Sequence, residues 1–200
     1  MQSQNEYIGD DNFKKFLTHY ACPTPLNIVK MKFAGAICSP NYDLRPTDVI
    51  SSFWREGEEP RLETKKEAEL FFKFFMGLWD KIFQDIGFNK LELPKNESHS
   101  AFDIAANRYD EIELGFLEGF WGGQENLKIP AYIAQIVDQL SELADVYEII
   151  ASRAQKGEAD DVLLKTLKET DKMVQKAISF LIENFARPKI KDIGDKAVMN

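Results

Sequence analysis

Histidine, cysteine and positive charge are scarce in this chain, and each shortage closes off a class of function. Two histidines and two cysteines occur in 200 residues. His19 and His99 lie far apart, and neither belongs to the Glu-x-x-His pair that helical di-iron bundles use. Cys22 and Cys38 have neither metal-type nor redox-type spacing, so a zinc cage lacks ligands and both read as reduced, buried small hydrophobes. Lys and Arg number 25 against 33 Asp and Glu, a formal charge of -8. That balance disfavours phosphate backbones, whose binding relies on cations releasing counterions, so no nucleic-acid partner is expected. No stretch approaches the roughly 20 continuous apolar residues of a membrane span. The start, Met1 to Glu6, is polar with no basic n-region, so no secretory signal is expected and a cytoplasmic address follows by default. No P-loop or dinucleotide fingerprint is present, because the glycines of Gly119-Phe-Trp-Gly122-Gly123 end a helical pattern where those motifs begin one. No cofactor is implied.

What the chain has in quantity is helical periodicity. From Thr64 to Gly87, apolar positions Ala68, Phe71, Phe72, Phe75, Leu78, Trp79, Ile82, Phe83 and Ile86 recur at three- and four-residue spacing. Thr64 with Glu67 has the form of a capping box, and Gly87 stands where a left-handed C-terminal cap is usual. Around this aromatic helix the same logic predicts a short helix from Asp10 or Asp11 to Tyr20 and a second opening at Thr24-Pro25 and stopping near Ser39-Pro40. A third starts at Pro46. The acidic stretch Glu56 to Pro60 reads as a solvated linker, and Phe88 to Ser100 as a polar, partly mobile loop. A further helix is expected from Phe102 or Asp103 to Trp121. Gly115 and Gly119, one turn apart within it, each cost roughly 1 kcal/mol relative to alanine. Close approach of another helix backbone is the demand that would offset them.

Beyond Pro130, Ile133, Ile136, Leu140, Leu143, Tyr147, Ile150 and Ala154 form one heptad-like stripe, and Leu164, Leu167, Asp171, Val174, Ile178, Leu181 and Phe185 form another. Gly157 lies between them, so the pair reads as an antiparallel helical hairpin. Asp171 is out of place in that seam and calls for a solvated edge or a cation such as Lys168 or Lys172. Arg187-Pro188 should end the last helix. The expected fold is therefore all-α: a multi-helix bundle with a long central aromatic helix and a C-terminal antiparallel hairpin. Its organisation is a helical body over 1–125, the hairpin over 126–188 and a flexible tail over 189–200, together one structural domain.

Chemistry is thinly represented. Cys22 and His19 share an i, i+3 spacing, but Pro23 breaks the helix there and no orienting acid accompanies them. On the glycine helix, Asp110, Glu111 and Glu118 are candidate carboxylates for acid/base or metal-dependent hydrolysis, with Glu111 and Glu118 two turns apart on one face. The competing account is a solvated helix flank on which Arg108 neutralises Glu111 at i+3.

The order Cys38-Ser39-Pro40, Arg45-Pro46-Thr47-Asp48, Trp54 and Gly115-Phe116-Leu117-Glu118-Gly119 resembles the YecA/YgfB-like family of small bacterial helical proteins, over roughly residues 10 to 123. Ser39 replaces that family's glycine, Val49 stands where tryptophan is common, and Ile112 replaces the tryptophan before Gly-Phe. The cysteine-rich zinc module of some members is replaced here by the hairpin. The resemblance implies an all-α, cytoplasmic bacterial protein able to form a homodimer, from a family whose biochemical role is mostly undefined and some of whose members are suspected regulators or adaptors, and it implies no catalytic residue. Trp54, Phe116, Gly119 and Trp121 are the candidate contacts for a protein partner. A purely self-associating homodimer is the other non-enzymatic alternative.

Overall fold

A computed structural model describes residues 6–124 and 127–191, and these form seven helices and no strand. Helix α1 spans Asp10–His19, α2 Leu26–Cys38, α3 Pro46–Ser51 and α4 Lys65–Gly87. Helix α5 begins as Ala101–Asp110, passes through a π-helical segment Glu111–Leu117 and finishes as Glu118–Trp121. Helix α6 spans Ala131–Gln155. Helix α7 runs through Asp160–Leu181 and the π-helical segment Ile182–Ala186, then continues to residue 191.

The aromatic helix α4 starts as its sequence requires: the Thr64 hydroxyl accepts the Glu67 N–H at 3.1 Å. Glu67 closes the reciprocal contact one residue early, accepting from the Glu63 N–H at 2.8 Å. Gly87 is not the left-handed cap. The helix runs through it, and Asn89 takes that conformation (φ 53°) while the Lys90 N–H returns to the Asp85 carbonyl at 2.7 Å. Asparagine is among the few non-glycine residues that adopt this backbone readily, and here its side-chain amide donates to Glu183 Oε1 on a distant helix at 2.7 Å. Phe75, fully buried, is the centre of the aromatic packing, with ring centroids 5.1–5.7 Å from Phe13, Phe16, Phe53 and Phe71. Three of those four pairs are edge-on and the Phe53 pair is stacked, arrangements that the ring quadrupoles favour.

Helices α2 and α5 approach backbone to backbone. A Cβ on Gly119 would lie 2.1 Å from the Lys32 carbonyl oxygen, and one on Gly35 would lie 1.9 Å from that of Phe116. Gly115 faces the Met31 side chain, where a Cβ would come within 2.7 Å. The close approach therefore needs glycine on both helices. Gly35 carries no sequence signal of this role, because it sits in a uniformly apolar run.

Helix α6 packs on both α5 and α7, and one continuous core runs from Phe13 through Phe116 and Tyr147 to Ala186. The expected boundary at 125/126 falls on residues outside those described. Gly157 (φ 82°) turns the chain between α6 and α7, with Arg153 paired to Glu158 across the turn. Arg187-Pro188 does not end the last helix, which corrects that expectation. Pro188 lacks an N–H and crowds the carbonyl four residues back, and the wider π-helical turns of 182–186 precede it, as inserted π-turns do at prolines. Lys189 is accordingly buried, not part of a loose tail. Its ammonium donates to the Ser39 carbonyl at the C-terminus of α2 and lies 5.3 Å over the Tyr42 ring. The rest of the expected tail, 192–200, lies outside the described residues.

Candidate functional site

The sequence 88–100 has no regular structure, yet it is fastened along its length. Gln175 accepts from the Leu93 N–H at 3.0 Å and donates to the Leu91 carbonyl at 2.8 Å, and Lys14 pairs with Glu97 at 2.8 Å. Arg108 donates to the Pro94 carbonyl at 2.8 Å. This strap covers a buried ionic cluster. Arg108 reaches Glu111 at 2.5 Å and Asp171 at 3.2 Å, the Asn27 amide donates to Glu111 at 2.9 Å, and the Tyr147 hydroxyl donates to Asp171 at 2.6 Å. Two expectations are corrected here. Glu111 (1 % exposed) and Arg108 (6 %) are not a solvated flank. Asp171 is satisfied by Arg108 and Tyr147 from other helices, not by Lys168 or Lys172 on its own.

Burial raises the Glu111 pKa, although Arg108 and Asn27 oppose it by favouring the carboxylate. Burial also works against the Arg108 charge, but Glu111 and Asp171 outweigh it and the guanidinium is held more firmly protonated. The Tyr147 phenol is raised by burial and by the Asp171 carboxylate it donates to. The network joins α2, the strap, α5, α6 and α7, and the buried polar side-chain atoms of Asn27, Arg108, Glu111, Tyr147 and Asp171 each meet a partner, which is the condition for a charged core to be tolerated; in the strap itself the buried Asn96 amide nitrogen has none.

The expected carboxylate set is split. Asp110 and Glu111 line a cavity of about 890 Å³ between α2, α4 and the strap, where burial raises the Asp110 pKa. Glu118 faces another opening, with Lys32 at 2.7 Å. Three carboxylates so divided do not converge on one reacting atom or ion. Among the described residues no group of three or more His, Cys, Asp or Glu is placed to hold a metal. Cys38 is fully buried and its thiol is pushed up to about 12, the environment of an inert core cysteine. Cys22 is half-buried, its Sγ 3.7 Å from the Thr24 and Phe53 carbonyls, and burial raises its pKa as well. No described helix is long and apolar enough to cross a membrane.

The opening that Glu118 faces is a groove of about 860 Å³ where α5 ends. Its apolar lining comes from Leu44, Val49, Leu117, Val137 and Trp121, and its polar lining from Lys32, Asp48, Glu113, Glu118, Asp138 and Ser141. Gly122 (φ 55°) ends α5 in a left-handed turn and, with Gly123 (φ 74°), opens the chain so that Trp121 stays half-exposed beside the groove. Of the four predicted contacts, Gly119 and Trp121 line this groove. Phe116 and Trp54 do not. Phe116 is fully buried, and Trp54 is 7 % exposed with its indole N–H donated to the Tyr20 carbonyl at 3.1 Å, so neither offers surface to a partner. Sequence reasoning missed Leu44, Val49, Val137 and Asp138, which come from a loop, α3 and α6 and share no local pattern. Compared with known protein families, curated proteins and solved structures, the chain matches none.

Proposed function

We propose that this chain acts without catalysis, by binding a segment of another protein in the groove at the end of α5, in an adaptor or regulatory role. The observation that carries this is the groove itself: a half-exposed tryptophan and four aliphatic side chains at its base, with polar groups at its edges. Its volume falls within the range of specific binding sites, and an aromatic anchor set in an apolar pocket with a polar rim is how protein interfaces concentrate affinity. The resemblance to YecA/YgfB-like proteins, whose suspected roles are regulatory, is in keeping with it.

The test is site-specific photo-crosslinking in cells, with a benzophenone amino acid at Gln124 in the groove or at Phe72 on the exposed side of α4. The expected outcome is one or a few discrete adducts to other proteins from position 124 and none from position 72. Equal, diffuse labelling from both positions, or adducts from position 72 alone, would defeat the proposal.

A further inference from the structure

We infer that the occupant of this groove is a basic polypeptide segment carrying an apolar anchor side chain, an inference that rests on the protein-binding reading above. The groove's lining holds four carboxylates, Asp48, Glu113, Glu118 and Asp138, against the one ammonium of Lys32, and although Arg45 pairs with Asp48 at 3.4 Å the excess of negative charge remains. Lys32 does little to offset them outwardly. Its side chain is 12 % exposed and its charge is engaged by Glu118 at 2.7 Å. Glu113 is held in place by the Ser141 hydroxyl at 3.0 Å, and Asp138 is exposed and makes no ion pair among the described residues. A concave site walled by aliphatic groups and edged mainly by one sign of charge focuses its field on whatever enters it.

The negative charge does not stop at the groove. Along α6, Asp138, Glu142, Asp145 and Glu148 follow one another at spacings of four, three and three, which places them on one helical stripe, and all four are exposed. No Lys or Arg occurs in α6 before Arg153. Ten residues at 1.5 Å rise make this ridge roughly 15 Å long, starting at the groove wall. A partner matching both features buries an aliphatic or aromatic side chain over Leu117 and Val137 and lays Lys or Arg residues along the ridge. A nucleic acid has the wrong sign, and a small polyamine has no group for the apolar base.

The experiment is selection of a random phage-displayed peptide library on the full chain, followed by anisotropy titration of the fluorescein-labelled winning peptides. Asp138→Lys reverses the charge at the junction of groove and ridge, and Ser141→Trp fills the groove. Gln124→Trp, at an exposed lining position, stands in for S141W should that variant misfold by circular dichroism. The expected winners carry two or more Lys or Arg around one large apolar residue. D138K weakens them roughly threefold to tenfold at low salt, in line with exposed charge pairs, and the filled groove abolishes binding. Winners that are blocked by the filled groove but are neutral or acidic would overturn the charge inference and leave the protein-binding proposal standing. An absence of winners sensitive to groove filling would overturn both.

Discussion

Replacing Arg108 with methionine removes the one cation shared by the buried Glu111 carboxylate and the partly exposed Asp171 carboxylate, and the consequence can be worked from the geometry. Arg108 contributes hydrogen bonds to Pro94, Glu111 and Asp171, and Met matches its length without its donors. Glu111, almost fully buried, keeps the Asn27 amide as its hydrogen-bond partner, and Asp171 keeps Tyr147. Breaking a buried pair by removing one partner costs about 3–5 kcal/mol, because the remaining charge is left uncompensated. For a chain of this size that corresponds to a melting temperature lowered by roughly 6–20 °C. The pH dependence has a definite sign. The folded-state pKa of Glu111 is already raised above its unfolded value by burial, so the native state binds more protons and stability falls as pH rises through that window. Loss of Arg108 raises the folded pKa further and extends the window upward. Urea denaturation followed by tryptophan fluorescence at pH 5.5 and pH 8 should therefore show R108M less destabilised, relative to wild type, at the lower pH. The difference should shrink in the R108M/E111Q double variant. A loss below about 1 kcal/mol at pH 8, or a greater loss at pH 5.5, would refute the claim that Arg108 compensates a buried Glu111 carboxylate.

Two further outcomes follow from close contacts on the same scaffold. Gly119→Val drives a Cβ into the Lys32 carbonyl and should destabilise by about 1–3 kcal/mol or more, while Gly123→Ala, which meets no atom within 4 Å, pays only for its left-handed backbone, about 1 kcal/mol; chemical denaturation of both variants checks the ordering. Gln175→Ala frees both hydrogen bonds that fasten Leu91 and Leu93 of the strap to α7, so amide exchange at Leu93 should quicken by at least about tenfold while Phe75 and its neighbours keep their protection; unchanged exchange at Leu93 would show that Arg108, Lys14 and the Asn89–Glu183 bond hold the strap without it.

Much of the helical content was legible in the chain because it depends on neighbours three and four residues apart. The Thr64 cap, the aromatic stripe of α4 and the stripe of α6 are local patterns, and local periodicity carries to structure when one face must leave water, while in α7 the buried face is turned toward Leu163, Thr170 and Ala186, leaving Leu164, Asp171 and Phe185 of the expected stripe partly exposed. Gly115 and Gly119 were legible as a cost needing repayment, while the helix that repays it, α2, was not. Tertiary placement decided the rest. Trp54 and Trp121 look alike in sequence, each near the end of a helical pattern, yet one is packed against Phe71 and the other lies beside a groove. Arg108 and Glu111 look like any exposed i, i+3 pair until the strap and Asp171, 63 residues away from Arg108, close over them. The groove itself unites α2, α3, α5 and α6, and no single segment bears its mark. Periodicity tells a segment which side to bury. Which other segment it meets, and what is left open between them, depends on contacts between residues far apart in the chain, and these exist only once the helices have packed.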